Sequence, residues 1–210
     1  MKIDPETFEF KDMHHLITDS VVPRPIAWVS TLSKDGVFNL APYSQFGIVC
    51  IKPPMIYIGV VEERDRTKKD TLVNIEYSKD FVIAVVTEAL GDAMSISSED
   101  FPPDVSEFKE AGLTPVKSDI VKAPLIAESP VNMECKLVQM IKLGGPPRGP
   151  RVTTMIIGEV VRFHIDDNYW TGEGIDVPKL KIIARLGSIV DPPYCVTTVP
   201  YDLKPIDFGR

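Results

Sequence analysis

Two lysines stand directly before a segment that is predicted to begin a helix, in the order Lys68, Lys69, Asp70 and Thr71. Asp is a common residue at a helix start. A helix N-terminus presents unpaired N–H groups and a partial positive charge. With two ammonium groups and the Thr71 hydroxyl, this segment could bind a phosphomonoester. The alternative is an ordinary surface helix that follows two solvated lysines.

A second segment combines a proline with polar residues in a β-rich context, at Pro42, Tyr43 and Ser44. Because proline has no N–H, we expect the backbone here to leave strand pairing. Amides near Tyr43 and Ser44 would then be available to a flat heteroaromatic ring that carries carbonyl groups, and the Ser44 hydroxyl can both donate and accept. The alternative is a plain strand end with a corner.

A third segment begins at Arg24, which lies between prolines, and continues into a predicted strand. Alternation along that strand places Trp28 and Ser30 on one face and Thr31 on the other. The sequence leaves open whether Trp28 packs in the core or lines a pocket.

The elements that must position these segments are mostly strands. β-rich or alternating patterns predict strands at 26–32, 37–43, 46–51, 55–61, 81–86, 131–143, 153–165 and 181–186. Short helices are predicted from residue 70, over 87–97 and over 104–112. Strands do not alternate with long helices, which disfavours a doubly wound parallel sheet and favours a closed or split antiparallel β-barrel with short flanking helices. No shift in composition divides the chain, so we expect a single domain over 1–210.

Composition argues against several function classes. A net charge of −7 and a pI near 5.0 argue against nucleic-acid binding, which needs a basic face. The longest wholly apolar run, 81–86, is far shorter than the ~20 residues of a membrane span. With no apolar signal region at the N-terminus, we expect a cytoplasmic protein without membrane contact. Cys50, Cys135 and Cys195 form no CxxC pair and are expected to be packing residues.

Motifs of several common enzyme classes are absent from the sequence. It has no Walker A and no GxSxG motif, and its nearest approach to GxGxxG, at Gly172 and Gly174, has Val177 at the third glycine position. The three histidines do not form HExxH, so we expect no metal. Asp166 and Asp167 are either an acid–base pair or, as we expect, a polar turn.

In this order and spacing, the three segments resemble the flavin reductase-like family of FMN-binding split-barrel proteins. The resemblance continues in AESPVNMEC at 127–135, in IGEVV at 157–161 with His164, and in RLG at 185–187 with Tyr194. It covers about residues 15–195 and leaves a tail at 196–210 that could cover a partner subunit. The resemblance implies a Greek-key split barrel that forms a homodimer, with FMN near the subunit interface.

The resemblance also implies site residues. The positions that would contact the isoalloxazine ring are Ala41, Pro42, Tyr43 and Ser44. The positions that would hold the phosphate are Lys69, Asp70 and Thr71, with Lys68 nearby. The positions close to the flavin or lining its pocket are Arg24, Trp28, Ser30 and Thr31. His164 matches a position on the nicotinamide side, and Arg185 matches a family signature that serves either flavin contact or dimer structure. Gln45 and Gly47 depart from the family pattern on the substrate side of the ring.

The resemblance implies an FMN-dependent oxidoreductase in which NADH or NADPH delivers hydride to FMN. One alternative is a flavoredoxin-type electron carrier that a redox protein partner reduces, and the acidic composition would suit a basic partner. Another is a β-barrel binding module without redox activity. The loop at 144–151 is interpreted as a hairpin tip, the alternative being a contact of Arg148 and Arg151 with a nucleotide phosphate.

Overall fold

Strands make up the framework of the computed structural model, which describes residues 1–62, 68–145, 151–187 and 193–197. In chain order the strands are β1 (Arg24–Pro25), β2 (Ala27–Leu32), β3 (Phe38–Tyr43), β4 (Phe46–Cys50), β5 (Met55–Val61), β6 (Asp80–Ala84), β7 (Pro115–Val116), β8 (Leu125–Ile126), β9 (Val131–Gly144), β10 (Val152–Ile165), β11 (Ile183–Arg185) and β12 (Tyr194–Val196). The α-helices are α1 (Phe10–Ser20), α2 (Asp70–Ser78), α3 (Gly91–Ile96), α4 (Glu107–Glu110) and α5 (Val177–Leu180). Short 3₁₀ helices lie at Pro5–Thr7, Glu88–Leu90 and Asp167–Tyr169.

Seven strands form one antiparallel sheet in the order β3-β2-β6-β9-β10-β5-β4. Gln45 directly precedes β4, and the Gly59 N–H in β5 donates to its carbonyl at 2.7 Å, which extends the β4–β5 ladder by one residue. The two edge strands, β3 and β4, are connected by Ser44 and Gln45 and do not pair with each other among the described residues, so the barrel is split between them. This arrangement confirms the predicted split antiparallel barrel with short flanking helices.

Two hydrophobic clusters lie on opposite faces of this sheet. Alternation in β2 sends Ala27 and Val29 into the barrel, where they pack with Phe81 and with Leu72 and Ile75 from α2. The intervening residues of β2 and β3 face outward and pack under α3 and α4. The members of that outer cluster include Trp28, Leu40, Met94 and Phe108. Helix α2 therefore seals one end of the barrel, while α3 and α4 cover the outside of the strands that border the site.

Most predicted elements are present, with shifted ends. The turn after β2 forms where Asp35 and Gly36 predict it, with Gly36 at a φ of +85° and the Ser33 N–H bonded to the Val37 carbonyl at 2.9 Å. The strand predicted at 181–186 shortens to Ile183–Arg185, and the helix predicted at 87–97 divides into a 3₁₀ turn and α3.

Helix α1 was not predicted, although Phe10, Met13 and Ile17 follow helical spacing, and none of its residues is buried. Among the described residues, no helix has the length and apolar character needed to cross a membrane. Arg148 and most of the tail at 196–210 lie outside the described residues. The single-domain assignment stays a prediction.

Candidate functional site

A cavity of about 110 Å³ lies against β3 at the split edge of the barrel. Its lining brings together two of the segments singled out in the sequence. Strand β3 supplies Ala41, Pro42 and Tyr43, and the start of α2 supplies Lys69, Asp70 and Thr71. The segment 97–101 and the Glu107 side chain complete the wall. Six of the predicted flavin-contact positions therefore share one cavity.

The edge of β3 that faces this cavity offers hydrogen-bond acceptors. The Leu40 N–H points away from β2, because it donates to Glu107 Oε2 at 2.9 Å. Since backbone groups alternate along an antiparallel strand, the backbone of Pro42 also points away from β2. Proline at this position therefore removes no ladder bond, and the outward edge presents the carbonyl of Pro42, whereas Leu40 is completely buried.

The expectation that Pro42 releases the neighbouring amides from strand pairing is wrong for Tyr43, whereas Ser44 lies beyond the ladder. Pro42 itself stands opposite Trp28, and Tyr43 stands opposite Ala27 in the same β2–β3 ladder. The ladder continues because proline occupies an outward-facing position on an edge strand, where its missing N–H has no partner to lose.

A buried network joins β3 to α2. The Thr71 hydroxyl donates to Asn39 Oδ1 at 3.0 Å, and Asn39 Nδ2 donates to Glu107 Oε1 at 2.8 Å. The Thr31 hydroxyl also donates to Asn39 Oδ1, at 3.2 Å, and receives a bond from Asn74 Nδ2 at 3.0 Å. The hydroxyls of Thr31 and Thr71 are therefore engaged within the protein, so Thr71 presents its backbone N–H at the helix start.

The start of α2 carries the positive charge of the site. Lys69 is the N-cap residue and Asp70 is the first helical residue, so the N–H groups of Asp70 and Thr71 have no intrahelical acceptor. Lys69 Nζ lies 2.7 Å from Asp100 Oδ1, at the cavity wall. Lys68 Nζ instead lies 2.6 Å from Glu76 Oε2, and Lys68 is not part of the lining.

Burial raises the pKa of three lining groups. The pKa of the Tyr43 phenol rises to about 12. Burial also raises the pKa of the Asp70 and Glu107 carboxyls above their ordinary values. Both Glu107 oxygens nevertheless accept hydrogen bonds, from the Leu40 N–H and from Asn39 Nδ2.

Residues of β2 support the cavity from behind and do not line it. The Trp28 side chain is completely buried, and its Nε1 donates to Ser97 Oγ at 2.9 Å. Ser97 in turn lines the cavity. Ser30 is also fully buried, and its Oγ has no hydrogen-bond partner among the described residues.

Arg24 and Arg185 lie beside the cavity, in the small sheet formed by β1, β11 and β12. Arg24 Nε donates to Ser44 Oγ at 3.4 Å, and its Nη2 donates to the Leu186 carbonyl at 3.1 Å. Arg185 stands opposite Arg24 in the ladder, and its Nη1 donates to the Tyr194 hydroxyl at 2.6 Å. The Arg24 guanidinium therefore links Ser44, just after β3, to the chain after β11, whereas Arg185 is held within the small sheet.

The structure does not bring His164 to this cavity. His164 is four strands away from Pro42, in the row of partners that runs through Trp28, Ala84 and Asn132. At the usual spacing between strands this is roughly 19 Å along the sheet.

His164 instead belongs to a structural cluster. Its Nε2 lies 2.6 Å from Oε1 of Glu134, which is fully buried. Glu134 also accepts the backbone N–H groups of Asp119, Ile120 and Val121, at 2.6–3.0 Å. Ligand atoms of Asp119, Glu134 and His164 lie within 4.8 Å of one another. Because these hydrogen bonds occupy both Glu134 oxygens, the cluster holds the loop at 119–121 in place.

Asp166 lies in a polar turn, as expected, because its Oδ1 accepts the Asn168 N–H at 2.9 Å.

Asn39 and Glu107 were not predicted as functional residues. Glu107 had a signal, because it sits at the capping-box spacing from Asp104, but its side chain reaches β3 instead of capping its own helix.

A seven-stranded antiparallel barrel that is split at one edge, with an anion-compatible helix start beside that edge, defines a split-barrel protein of the flavin-binding type. The family model described as "Flavin reductase like domain" matches residues 19–174. The chain belongs to the flavin reductase-like family, whose members are flavin-related oxidoreductases.

Known relatives agree with this assignment. An uncharacterized protein of Halalkalibacterium halodurans is 39% identical over 186 residues, which are 89% of this chain and 88% of that protein. The crystal structure of nitrilotriacetate monooxygenase component B from Bacillus cereus has a TM-score of 0.89 and 34% identity, covering 97% of this chain and 98% of that one. The crystal structure of the 2-nitrobenzoate 2-nitroreductase NbaA from Pseudomonas fluorescens has a TM-score of 0.85 and 30% identity, covering 99% of this chain and 98% of that one.

A more distant structure shares the fold. It is described as a putative flavin reductase with a split barrel domain, from Shewanella frigidimarina. Its TM-score is 0.77 at 24% identity, covering 97% of this chain and 98% of that one.

Proposed function

We propose that the cavity beside β3 binds FMN and that the protein is an oxidoreductase in which NADH or NADPH reduces the bound flavin. One observation carries the proposal. A single cavity has the edge strand β3, with the outward-facing Pro42, on one wall and an anion-compatible helix start with Lys69 on another. An FMN molecule needs both surfaces, the first for the polar rim of its ring and the second for its phosphate.

The edge of β3 fits the polar rim of an isoalloxazine ring. The flavin pyrimidine carries an imide N–H, from which the outward carbonyl of Pro42 can accept a hydrogen bond. Ala41 and Pro42 offer small apolar surfaces to the ring face, and the Tyr43 phenol, neutral at physiological pH, adds an aromatic wall. Ser44 lies at the end of this edge, where Arg24 fixes its hydroxyl.

The start of α2 fits the phosphate. The N–H groups of Asp70 and Thr71 point out of the first turn, and Lys69 adds a positive charge beside them. A phosphate here would compete with Asp100 for Lys69 Nζ. Lys68 is held by Glu76 and has no direct part in this seat.

The bound flavin supplies the hydride chemistry. The protein's own residues bind and orient the ring and fix the protonation of its surroundings. We propose that the lining contributes position and electrostatics to the bound flavin.

We also propose a homodimer in which the partner subunit completes the flavin site. Ligand pockets usually measure roughly 300–1,000 Å³, and this cavity is smaller, so a second surface would have to cover the rest of the ring. Strand β4 supports a partner surface, because Ile48 is 72% exposed and Ile51, just after the strand, is 77% exposed.

The chain's net charge of −7 favours a second candidate, an electron carrier that a basic redox protein reduces. Two measurements on the full chain separate the candidates. A reductase oxidises NADH or NADPH in steady state when FMN is added. A carrier retains FMN through gel filtration but shows no turnover with either nucleotide. A protein that quenches no FMN fluorescence would contradict both and favour a non-redox binding module.

A further inference from the structure

Two arginines face each other in the small sheet beside the proposed flavin cavity. Arg24 in β1 stands directly opposite Arg185 in β11. Like charges at opposed positions of an antiparallel pair destabilise that pair. Burial and the positive charge of Arg185 lower the pKa of the Arg24 guanidinium, yet arginine side chains stay charged in proteins. The fold therefore holds two positive charges together at a cost in stability.

Arg24 is surrounded by uncharged hydrogen-bond acceptors. Its Nε donates to Ser44 Oγ at 3.4 Å, and its Nη2 donates to the Leu186 carbonyl at 3.1 Å. Its Nη1 donates to the carbonyls of Thr18 and Val21, at the end of α1. These bonds fix the guanidinium beside the end of β3, and none of them neutralises its charge.

Arg185 also keeps its full charge. Its Nη1 donates to the Tyr194 hydroxyl at 2.6 Å, and its guanidinium carbon lies 4.9 Å from the centroid of the Tyr194 ring. In the part of the chain that the structure describes, neither arginine forms a salt bridge with a carboxylate. The charge of Asp19 raises the pKa of Arg24, but by less than Arg185 lowers it. In a chain of net charge −7, the two arginines form a local positive centre.

This positive centre suits the charge that a flavin gains on reduction. A hydride from NADH or NADPH carries two electrons and one proton, so the nicotinamide leaves oxidised and the flavin ring holds one negative charge. Charges near the ring tune the electronic properties of a flavin. Arg24 holds Ser44, the residue after Tyr43, and Tyr43 lines the cavity. The arginines therefore lie at the ring end of the proposed site, whereas Lys69 lies at its phosphate end.

We propose that Arg24 and Arg185 stabilise the reduced, negatively charged flavin relative to the oxidised flavin. The proposal rests on the proposed function, because it requires FMN in the cavity beside β3. Arg24 is a positioning residue that acts through Ser44, and Arg185 acts through its charge. The pair therefore raises the reduction potential of the bound FMN and lowers the stability of the small sheet.

The reduction potential of FMN bound to the full chain, measured in equilibrium with a dye of known potential, tests this proposal. Arg185→Gln should lower the ratio of the affinities for reduced and oxidised FMN about three- to tenfold, which is about 15–30 mV for a two-electron couple. Arg185→Lys keeps the charge and should keep the potential. Arg162→Gln removes an arginine that pairs with Asp119 and should also leave the potential unchanged, as the matched control for net charge.

The Tm of the flavin-free protein separates this role from a structural one. Because Arg185→Gln removes the repulsion between the two arginines, it should not lower this Tm, whereas a structural role predicts a lower Tm and an unchanged potential. An unchanged potential in Arg185→Gln with FMN bound would overturn the proposal and leave the proposed function standing. An equal fall in Arg185→Lys or in Arg162→Gln would overturn it too. Wild-type protein that binds neither FMN nor riboflavin would contradict the proposed function, and this proposal with it.

Discussion

The Thr71 hydroxyl donates a 3.0 Å hydrogen bond to the amide oxygen of Asn39, which ties the first turn of α2 to the edge strand β3. Asn39 is held in turn by Glu107 at 2.8 Å. The protein therefore fixes the separation of the two surfaces that would hold the flavin ring and the phosphate. Such preorganisation reduces the entropy that a ligand must lose on binding.

Replacing Glu107 should lower both the free energy of unfolding and the affinity for the flavin. Glu107→Ala leaves the Leu40 N–H and Asn39 Nδ2 without a buried acceptor, which we expect to lower the free energy of unfolding by about 2–4 kcal/mol. Chemical denaturation measures this loss. Glu107→Gln keeps the volume and one acceptor and should lose less. Equal stability of wild type and Glu107→Ala would show that the network does not hold β3.

Removing the Asp100 carboxylate, which would compete with the FMN phosphate for Lys69 Nζ, should strengthen FMN binding. Asp100→Asn takes a carboxylate away from Lys69 Nζ, and because the Asp100 side chain is 81% exposed we expect only about a two- to fivefold gain in FMN affinity. Riboflavin affinity should not change. Glu76→Gln, which removes the partner of Lys68, is the matched control and should change neither affinity.

Trp28 should behave as a core residue. Trp28→Phe removes the bond to Ser97 and part of a completely buried side chain, so we expect a loss of about 1–3 kcal/mol in unfolding free energy. FMN affinity should stay within about twofold of wild type, and the exposed Trp170→Phe should affect neither quantity. A selective loss of FMN affinity with unchanged stability would place Trp28 against the flavin.

The Glu134 cluster should make stability depend on acid pH. Burial alone would raise the pKa of Glu134, but bonds from His164 and from three backbone N–H groups outweigh it and hold the pKa below the ordinary 4.5. The unfolded chain therefore binds more protons between these two values. The stabilisation is present above pH 4.5 and is lost as the pH falls through the folded-state pKa.

Glu134→Gln tests this dependence. The variant should be less stable at neutral pH by about 2–3 kcal/mol, and its Tm should vary less than that of the wild type from about pH 3 to about pH 6. Parallel Tm profiles for the two proteins would contradict the assignment. Arg162→Gln removes the exposed ion pair with Asp119 and should leave the profile unchanged.

The sequence predicts the barrel because the determinants of strands are local. Alternation from Val131 onward and the Asp-Gly turn at 35–36 each act within a few residues, and both elements are present. Helix α1 was missed although its 11 residues make it the longest α-helix of the described residues, and none of them is buried.

The site was predictable only in part, because its network joins distant segments. Glu107 lies 67 residues after Leu40, whose N–H it accepts, and no local pattern connects the two. Lys68 and Lys69 are equivalent in the sequence, yet neighbouring residues at a helix start point in different directions, so one meets Glu76 and the other Asp100. His164 lies on β10 away from the cavity of its own subunit, and its expected place on the nicotinamide side stays a prediction.

A comparison of FMN with riboflavin tests the phosphate seat most directly. By fluorescence-quenching titration, wild-type protein should bind FMN more tightly than riboflavin. Lys69→Ala should weaken FMN about tenfold or more, since a charge-assisted hydrogen bond contributes about 1.5–3 kcal/mol, and should leave riboflavin unchanged. Lys68→Ala should change neither affinity. Equal losses of FMN and riboflavin in Lys69→Ala, or an equal loss of FMN in both lysine variants, would contradict the placement of the phosphate at the start of α2.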